Sequence, residues 1–216
     1  VGGLHRMSSE ARSYLSAAGH DWLLPFYDPL CKLLRAERHF ESLIAEADVQ
    51  SGARVLEIGC GTGNLTLLLK RLHADVEVVG LDPDPKALAR ARRKAERARL
   101  DVRLDQGFSQ ELPYPDASFD RVLSSFMFHH LDAPTKSATL REVRRVLVPG
   151  GSLHLLDFAG HGHGRLAGLF HAPDQLRDNA EDRVLALMKE AGFAHAEPVT
   201  RRHMLLGATT TYRAQA

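Results

Sequence analysis

The chain has 216 residues, with 28 Lys+Arg against 27 Asp+Glu, 44% apolar and 25% charged side chains; this suits one globular domain with a modest appendage. A formal net charge of +1 gives no general electrostatic reason to sit on nucleic acid or an anionic membrane. No apolar stretch approaches the ~18 residues of a membrane span, and no signal peptide opens the chain. The cysteines Cys31 and Cys60 make neither a disulfide framework nor a cysteine zinc site, so a reduced, cytoplasmic protein is the expectation.

Residues 8–48 are expected to be helical, because Leu30, Leu33 and Leu34, then Phe40, Leu43, Ile44 and Ala47, recur at helical spacings. The segment from Asp21 to Pro29 interrupts that pattern with Pro25 and Pro29 among Trp22, Phe26 and Tyr27, giving helix, aromatic-rich turn, helix. Residues 1–48 thus form a helical cap ahead of a domain at 49–216. From residue 52 strands and helices alternate. Arg54–Ile58 is a short buried strand, followed by Gly59-Cys60-Gly61-Thr62-Gly63 and a helix through Leu72. A second strand is expected at 76–81, a basic helix at 85–99, a third strand at 101–105 and a fourth at 119–124. A helix over 134–147 is stopped by Pro149-Gly150-Gly151, and the fifth strand covers 152–158. The tail offers a helix at 181–190 and β-rich runs near 195–200 and 204–212, read as an antiparallel hairpin at one sheet edge. Such alternation predicts an α/β fold: a doubly wound, mostly parallel seven-stranded sheet with helices on both faces.

A strand feeding a glycine-rich turn and then a helix sets backbone N–H groups and a helix N-terminus against a ligand. Glycines allow close approach and unusual dihedrals. Asn64 stands where a dinucleotide fingerprint would place its third glycine. Glu57, two residues before Gly59, would repel a pyrophosphate but suits an ammonium group. Asp82, after the second strand, can take both ribose hydroxyls, or it can cap the helix that follows. A nucleoside with a charged amino-acid end answers both acids, and S-adenosylmethionine is such a ligand.

Val55 to Asn64 resembles motif I of the class I S-adenosylmethionine-dependent methyltransferases, and Gly80-Leu81-Asp82 resembles their second motif. Gly107-Phe108-Ser109 with Leu112-Pro113-Tyr114 is similar to the adenine loop, Ser118–Val122 to the fourth strand, and Glu142–Gly151 to the helix and turn before the fifth strand. The resemblance implies a Rossmann-like fold and S-adenosylmethionine as cofactor. It implies that Glu57 and the Gly59, Cys60, Gly61 and Gly63 backbone, with Asn64, hold the methionine end. Asp82 would bind the ribose, Pro83 would flank the adenine, and Gly107, Phe108 and Ser109 would enclose it. Family members commonly carry Asp where this chain has Phe108. Phe108 cannot accept the adenine amino proton, so it serves as an apolar wall beside Ser109 backbone contacts, or simply as core packing.

Methyl transfer from a sulfonium is an in-line displacement whose electrophile arrives activated, so alignment supplies most of the catalysis and a general base adds where the acceptor must lose a proton. His129 and His130, after the fourth strand, are the candidate bases, since carboxyl ends of parallel strands line the binding crevice and histidine titrates near neutrality. Ser124 and Ser125 would offer backbone to the cofactor's amino group. Tyr14, Trp22 and Tyr27, with Phe26, would cap an apolar acceptor pocket, or pack helix on sheet. His161, His163 and His171 lack the companion ligands of a metal site, so no metal is expected. The basic helix is taken as a solvated face. The acceptor is expected to be a small molecule, with neither nucleic acid nor membrane as partner. A non-catalytic cofactor-binding module and a nicotinamide-dependent oxidoreductase are the competing readings.

Overall fold

The structure, a computed structural model, describes residues 36–159, 181–204 and 207–216. Seven strands form one sheet: β1 (Arg54–Ile58), β2 (Glu77–Asp82), β3 (Arg103–Gln106), β4 (Phe119–Ser125), β5 (Leu147–Phe158), β6 (His195–Met204) and β7 (Gly207–Gln215). Their order is β3-β2-β1-β4-β5-β7-β6. The first five run parallel, and β7 and β6 close the edge as an antiparallel pair. Both the mostly parallel sheet and the C-terminal hairpin are as the sequence predicts.

Period-two alternation sorts the strand side chains onto two faces. Leu56, Val79, Val122 and Leu153 join one core, which is covered by Leu140 and Val143 of α4 (Ala133–Val146) and Leu187 and Met188 of α5 (Glu181–Glu190). Their chain neighbours Val55, Val78 and Leu123, together with Leu156, join the other core under Phe40, Leu43 and Ile44 of α1 (Ala36–Ala47) and Leu65, Leu68 and Leu69 of α2 (Asn64–Leu72). Helix α3 (Pro85–Ala98) starts at Asp84, whose side chain accepts from the Lys86 N–H, and ends on Arg99 in a left-handed cap. These caps satisfy backbone groups that the helix itself leaves unpaired.

The largest boundary difference from expectation is at the α4–β5 junction. Helix α4 ends at Val146, because Leu147 takes extended dihedrals (φ −73°, ψ 136°) and pairs directly with Phe119. Pro149-Gly150-Gly151 therefore lies inside the β5 span, within a bulge, and the regular ladder resumes at Ser152 opposite Arg121. The cap expected at 1–48 is described only from Ala36 onward; Tyr14, Trp22, Phe26 and Tyr27 lie outside the described residues, as do His161, His163 and His171.

Candidate active site

The chain leaves β1 for β2 and β3 on one side and for β4 and β5 on the other. That reversal opens a crevice at the strands' carboxyl ends, where ligands bind in open α/β sheets. A cavity of about 390 Å³ occupies it.

The glycine loop is built by backbone need. Gly59, Gly61 and Gly63 all have positive φ (70°, 53° and 77°), a region open to glycine at little cost. The Gly59 and Cys60 N–H groups both donate to the Leu81 carbonyl, at 2.8 and 3.0 Å, locking the loop to the end of β2. A Cβ on Gly59 would strike the Met127 side chain, and one on Gly63 would come within 2.9 Å of Ala91. Gly59, Cys60 and Gly61 line the cavity. Gly63 is not among the lining residues; it packs closely between α2 and α3.

Two acids meet at this loop. Glu57 is buried and accepts a hydrogen bond from the Thr66 hydroxyl. Burial, with the Asp82 charge adding to it, raises its pKa to about 8. Asp82 accepts from the Gly61 N–H (2.7 Å) through one oxygen and from the Asp84 N–H (2.9 Å) through the other. Burial lifts it to about 6, against those two donations. The helix-capping alternative weighed for Asp82 falls to Asp84. Burial and the same two acids push the Cys60 thiol well up, so it stays protonated and unreactive. Asn64 also lines the cavity, its side-chain oxygen accepting from Lys94 Nζ at 2.6 Å.

Pro83, Gly107, Phe108 and Ser109 form the next stretch of wall. The Ser109 hydroxyl pairs with Thr139 at 2.9 Å, which leaves Ser109 facing α4 with its side chain. The segment after it is pinned by a device that sequence reasoning missed. Arg145 donates to the Leu112 and Tyr114 carbonyls and to Asp116. Glu142 pairs with Arg145 and accepts from the Leu112 N–H. The segment's match to the family's helix-and-turn element was the available signal.

The two histidines separate. His130 lines the cavity. His129 is 1% exposed and stands behind the wall, its Nδ1 2.5 Å from Asp157 and its backbone N–H donating to the same carboxylate at 2.8 Å. Asp157 is held below the usual carboxylate range: its burial is outweighed by the pairing with His129 and by hydrogen bonds from the His129 and Phe158 backbone N–H groups. The two imidazoles lie 4.0 Å apart between centroids. The short 3₁₀ turn Phe128–His130 sends these adjacent side chains different ways. The serines divide too: Ser125 lines the cavity, while Ser124 is fully buried off its wall. Of the expected pairs, His130 and Ser125 are therefore the members that line the cavity, and His129 and Ser124 are buried beside them. Phe40, Phe126, Met127 and Leu131 are wall residues that carried no role in the sequence reading. The described residues contain no group of three or more His, Cys, Asp or Glu placed to hold a metal, and no helix long and apolar enough to cross a membrane.

A family described as "Methyltransferase domain" matches residues 55–151, the stretch that supplies β1 through the bulge of β5. With the glycine loop, the paired acids and the sheet order in place, residues 55–151 are similar to a methyltransferase domain, and the fold is that of S-adenosylmethionine-dependent methyltransferase structures. It is similar to demethylmenaquinone methyltransferase of Deinococcus radiodurans, 39% identical over 151 residues, which are 68% of this chain and 62% of that one. It is also similar to 27-O-demethylrifamycin SV methyltransferase of Amycolatopsis mediterranei, 39% identical over 112 residues, 51% of this chain and 40% of the relative. The chain therefore spans less than two thirds of the length of these relatives. In fold it resembles a methyltransferase structure from Aquifex aeolicus, with TM-score 0.67 and 21% identity over 82% of this chain and 89% of that one.

Proposed function

We propose that this protein is an enzyme that transfers a methyl group from S-adenosylmethionine to a small-molecule acceptor by in-line displacement. The observation that carries this reading is the pair Glu57 and Asp82 at the carboxyl ends of adjacent strands, on one cavity, with the positive-φ glycine loop between them. The donor set fits the cofactor. A buried carboxyl raised by desolvation gains most from a cationic ligand group, which restores its ionised form. Glu57 would thus face the ammonium of the methionine end. Asp82 would exchange its bonds to the loop for bonds to ribose hydroxyls. Pro83, Phe108 and the Gly107–Ser109 backbone would border the adenine, with Phe108 as an apolar wall. No pyrophosphate suits a mouth carrying Glu57, which disfavours a dinucleotide.

The cofactor supplies a methyl group already activated on a positively charged sulfur. The protein's part is to align the acceptor, an effect worth up to ~7–11 kcal/mol in favourable cases, and to exclude water. Among the described residues His130 is the one imidazole on the wall, and it would take the acceptor's proton, a role worth ~10²–10⁴-fold where the acceptor must lose one. His129, held by Asp157, acts as a positioning residue behind it. Support for a small-molecule acceptor comes from the relatives, whose names specify a demethylmenaquinone and a demethylrifamycin. Phe40 reaches the cavity from α1, which supports a role for the N-terminal cap on the acceptor side. A cytoplasmic setting, where thiols stay reduced, suits the buried free Cys60.

The test is a tritiated-methyl transfer screen over small-molecule extracts. The wild type should label product, and His130→Ala should lower turnover by roughly 10²-fold with S-adenosylhomocysteine affinity unchanged. Cofactor binding with no product from any extract would instead favour a non-catalytic binding module.

A further inference from the structure

Beyond the two acids and the glycine loop, the cavity has a second set of lining residues. Phe40, Phe126, Met127 and Leu131 are among its apolar wall residues, with His130 and Asp132 beside them in the chain, the latter occupied in capping α4. Behind and along this wall runs an unbroken row of rings. Phe40 and Phe126 are 6.2 Å apart between centroids, Phe126 and Phe158 5.1 Å, Phe158 and His129 5.3 Å, and His129 lies against His130 with the rings tilted by 42°. The first three separations fall in the ~4.5–7 Å range where rings attract through offset or edge contacts. Phe40, Phe126 and His130 face the cavity, and Phe158 and His129 stand in the second rank.

Phe126 is the anomaly in the row. Its φ is +52°, in the left-handed region that glycine or asparagine enters cheaply and a bulky aromatic does not. Its N–H still donates to the Leu156 carbonyl at 2.9 Å, so the turn is anchored to β5. Contacts to Phe40 and Phe158 on either side hold the phenyl ring against the backbone's preference. A strained residue fixed at a ligand cavity points to function at that position.

We propose that Phe126 determines acceptor specificity, forming with Phe40 a platform for a flat, unsaturated ring whose nucleophilic atom is directed toward His130. This rests on the methyltransferase reading of the site and adds the acceptor class to it. A puckered, saturated acceptor of equal size would bury similar area but lose the ring–ring contacts.

The experiment uses the full chain saturated with S-adenosylhomocysteine, titrated calorimetrically with matched probes: benzyl alcohol against cyclohexylmethanol, and 2-naphthol against decahydro-2-naphthol. The flat member of each pair should bind tighter by roughly two- to tenfold, the span of a single aromatic pair. Phe126→Leu should abolish that preference and Phe126→Tyr should retain it, both with wild-type affinity for S-adenosylhomocysteine, which also reports that each variant is folded. Equal affinity within pairs, a preference that survives Phe126→Leu, or binding of neither member would overturn the proposal while leaving the cofactor site standing. Failure of S-adenosylhomocysteine itself to bind would overturn the site reading, and this proposal with it.

Discussion

Glu57 is a buried carboxyl at the cavity that accepts from Thr66, with a pKa raised to about 8. In the ligand-free protein it is protonated across the neutral range, whereas a facing ammonium favours its anion. Ligand binding between about pH 5 and 8 should therefore release protons, and affinity should rise with pH and level off above about 8. Calorimetry of S-adenosylhomocysteine in buffers of different ionisation enthalpy would read this release, and Glu57→Gln should remove it. The stability sign follows the same logic. A folded pKa above the unfolded one means that the native state holds the extra proton, so stability falls as pH rises from about 4.5 through 8. Glu57→Gln should accordingly melt closest to the wild type at pH 4 and gain on it progressively toward pH 8.5. Both acids were legible in the sequence because their positions are fixed by strand ends beside a backbone motif. His129 and His130 were not separable there. They are adjacent in a 3₁₀ turn, and only the Asp157 carboxylate arriving from β5, 28 positions along the chain, decides which ring turns inward.

At the scale of elements, the segment after Gly107 is held in place by Arg145. Its guanidinium joins two loop carbonyls and Asp116, and Glu142 closes the network. None of these residues lines the cavity, yet they hold the chain that follows Phe108 and Ser109. Arg145→Ala should weaken S-adenosylhomocysteine binding severalfold and cost about 1–3 kcal/mol of stability, the range for charged hydrogen bonds left unmade; urea titration and calorimetry on one sample would check both. An unchanged dissociation constant would show that the loop is ordered without this arginine. Sequence pattern gave the helix here but not the network, because hydrogen bonds spanning some thirty positions leave no periodic trace. The bulge of β5 escaped for a related reason. Pro149-Gly150-Gly151 has the composition of a helix stop, and the partner that makes it part of a strand span, Phe119, lies on another element.

For the molecule as a whole, binary patterning decided the architecture. Buried strands with alternating faces need helices on both sides, and parallel strands need crossovers to supply them. Strand order then places the cavity, since the reversal beside β1 is the one place where the carboxyl ends of β1, β2 and β4 meet the glycine loop. What pattern could not supply was the acceptor side. Phe40, Phe126, Met127 and Leu131 are ordinary core residues by composition and spacing, and only their convergence at the crevice gives them a role. Direct calorimetry with competing cofactors best tests what occupies that crevice. S-adenosylhomocysteine should bind one to one, with Asp82→Ala weakening it by about 1–3 kcal/mol through unpaired polar groups, and NAD should give no heat. A clean isotherm with NAD and none with S-adenosylhomocysteine would contradict the account.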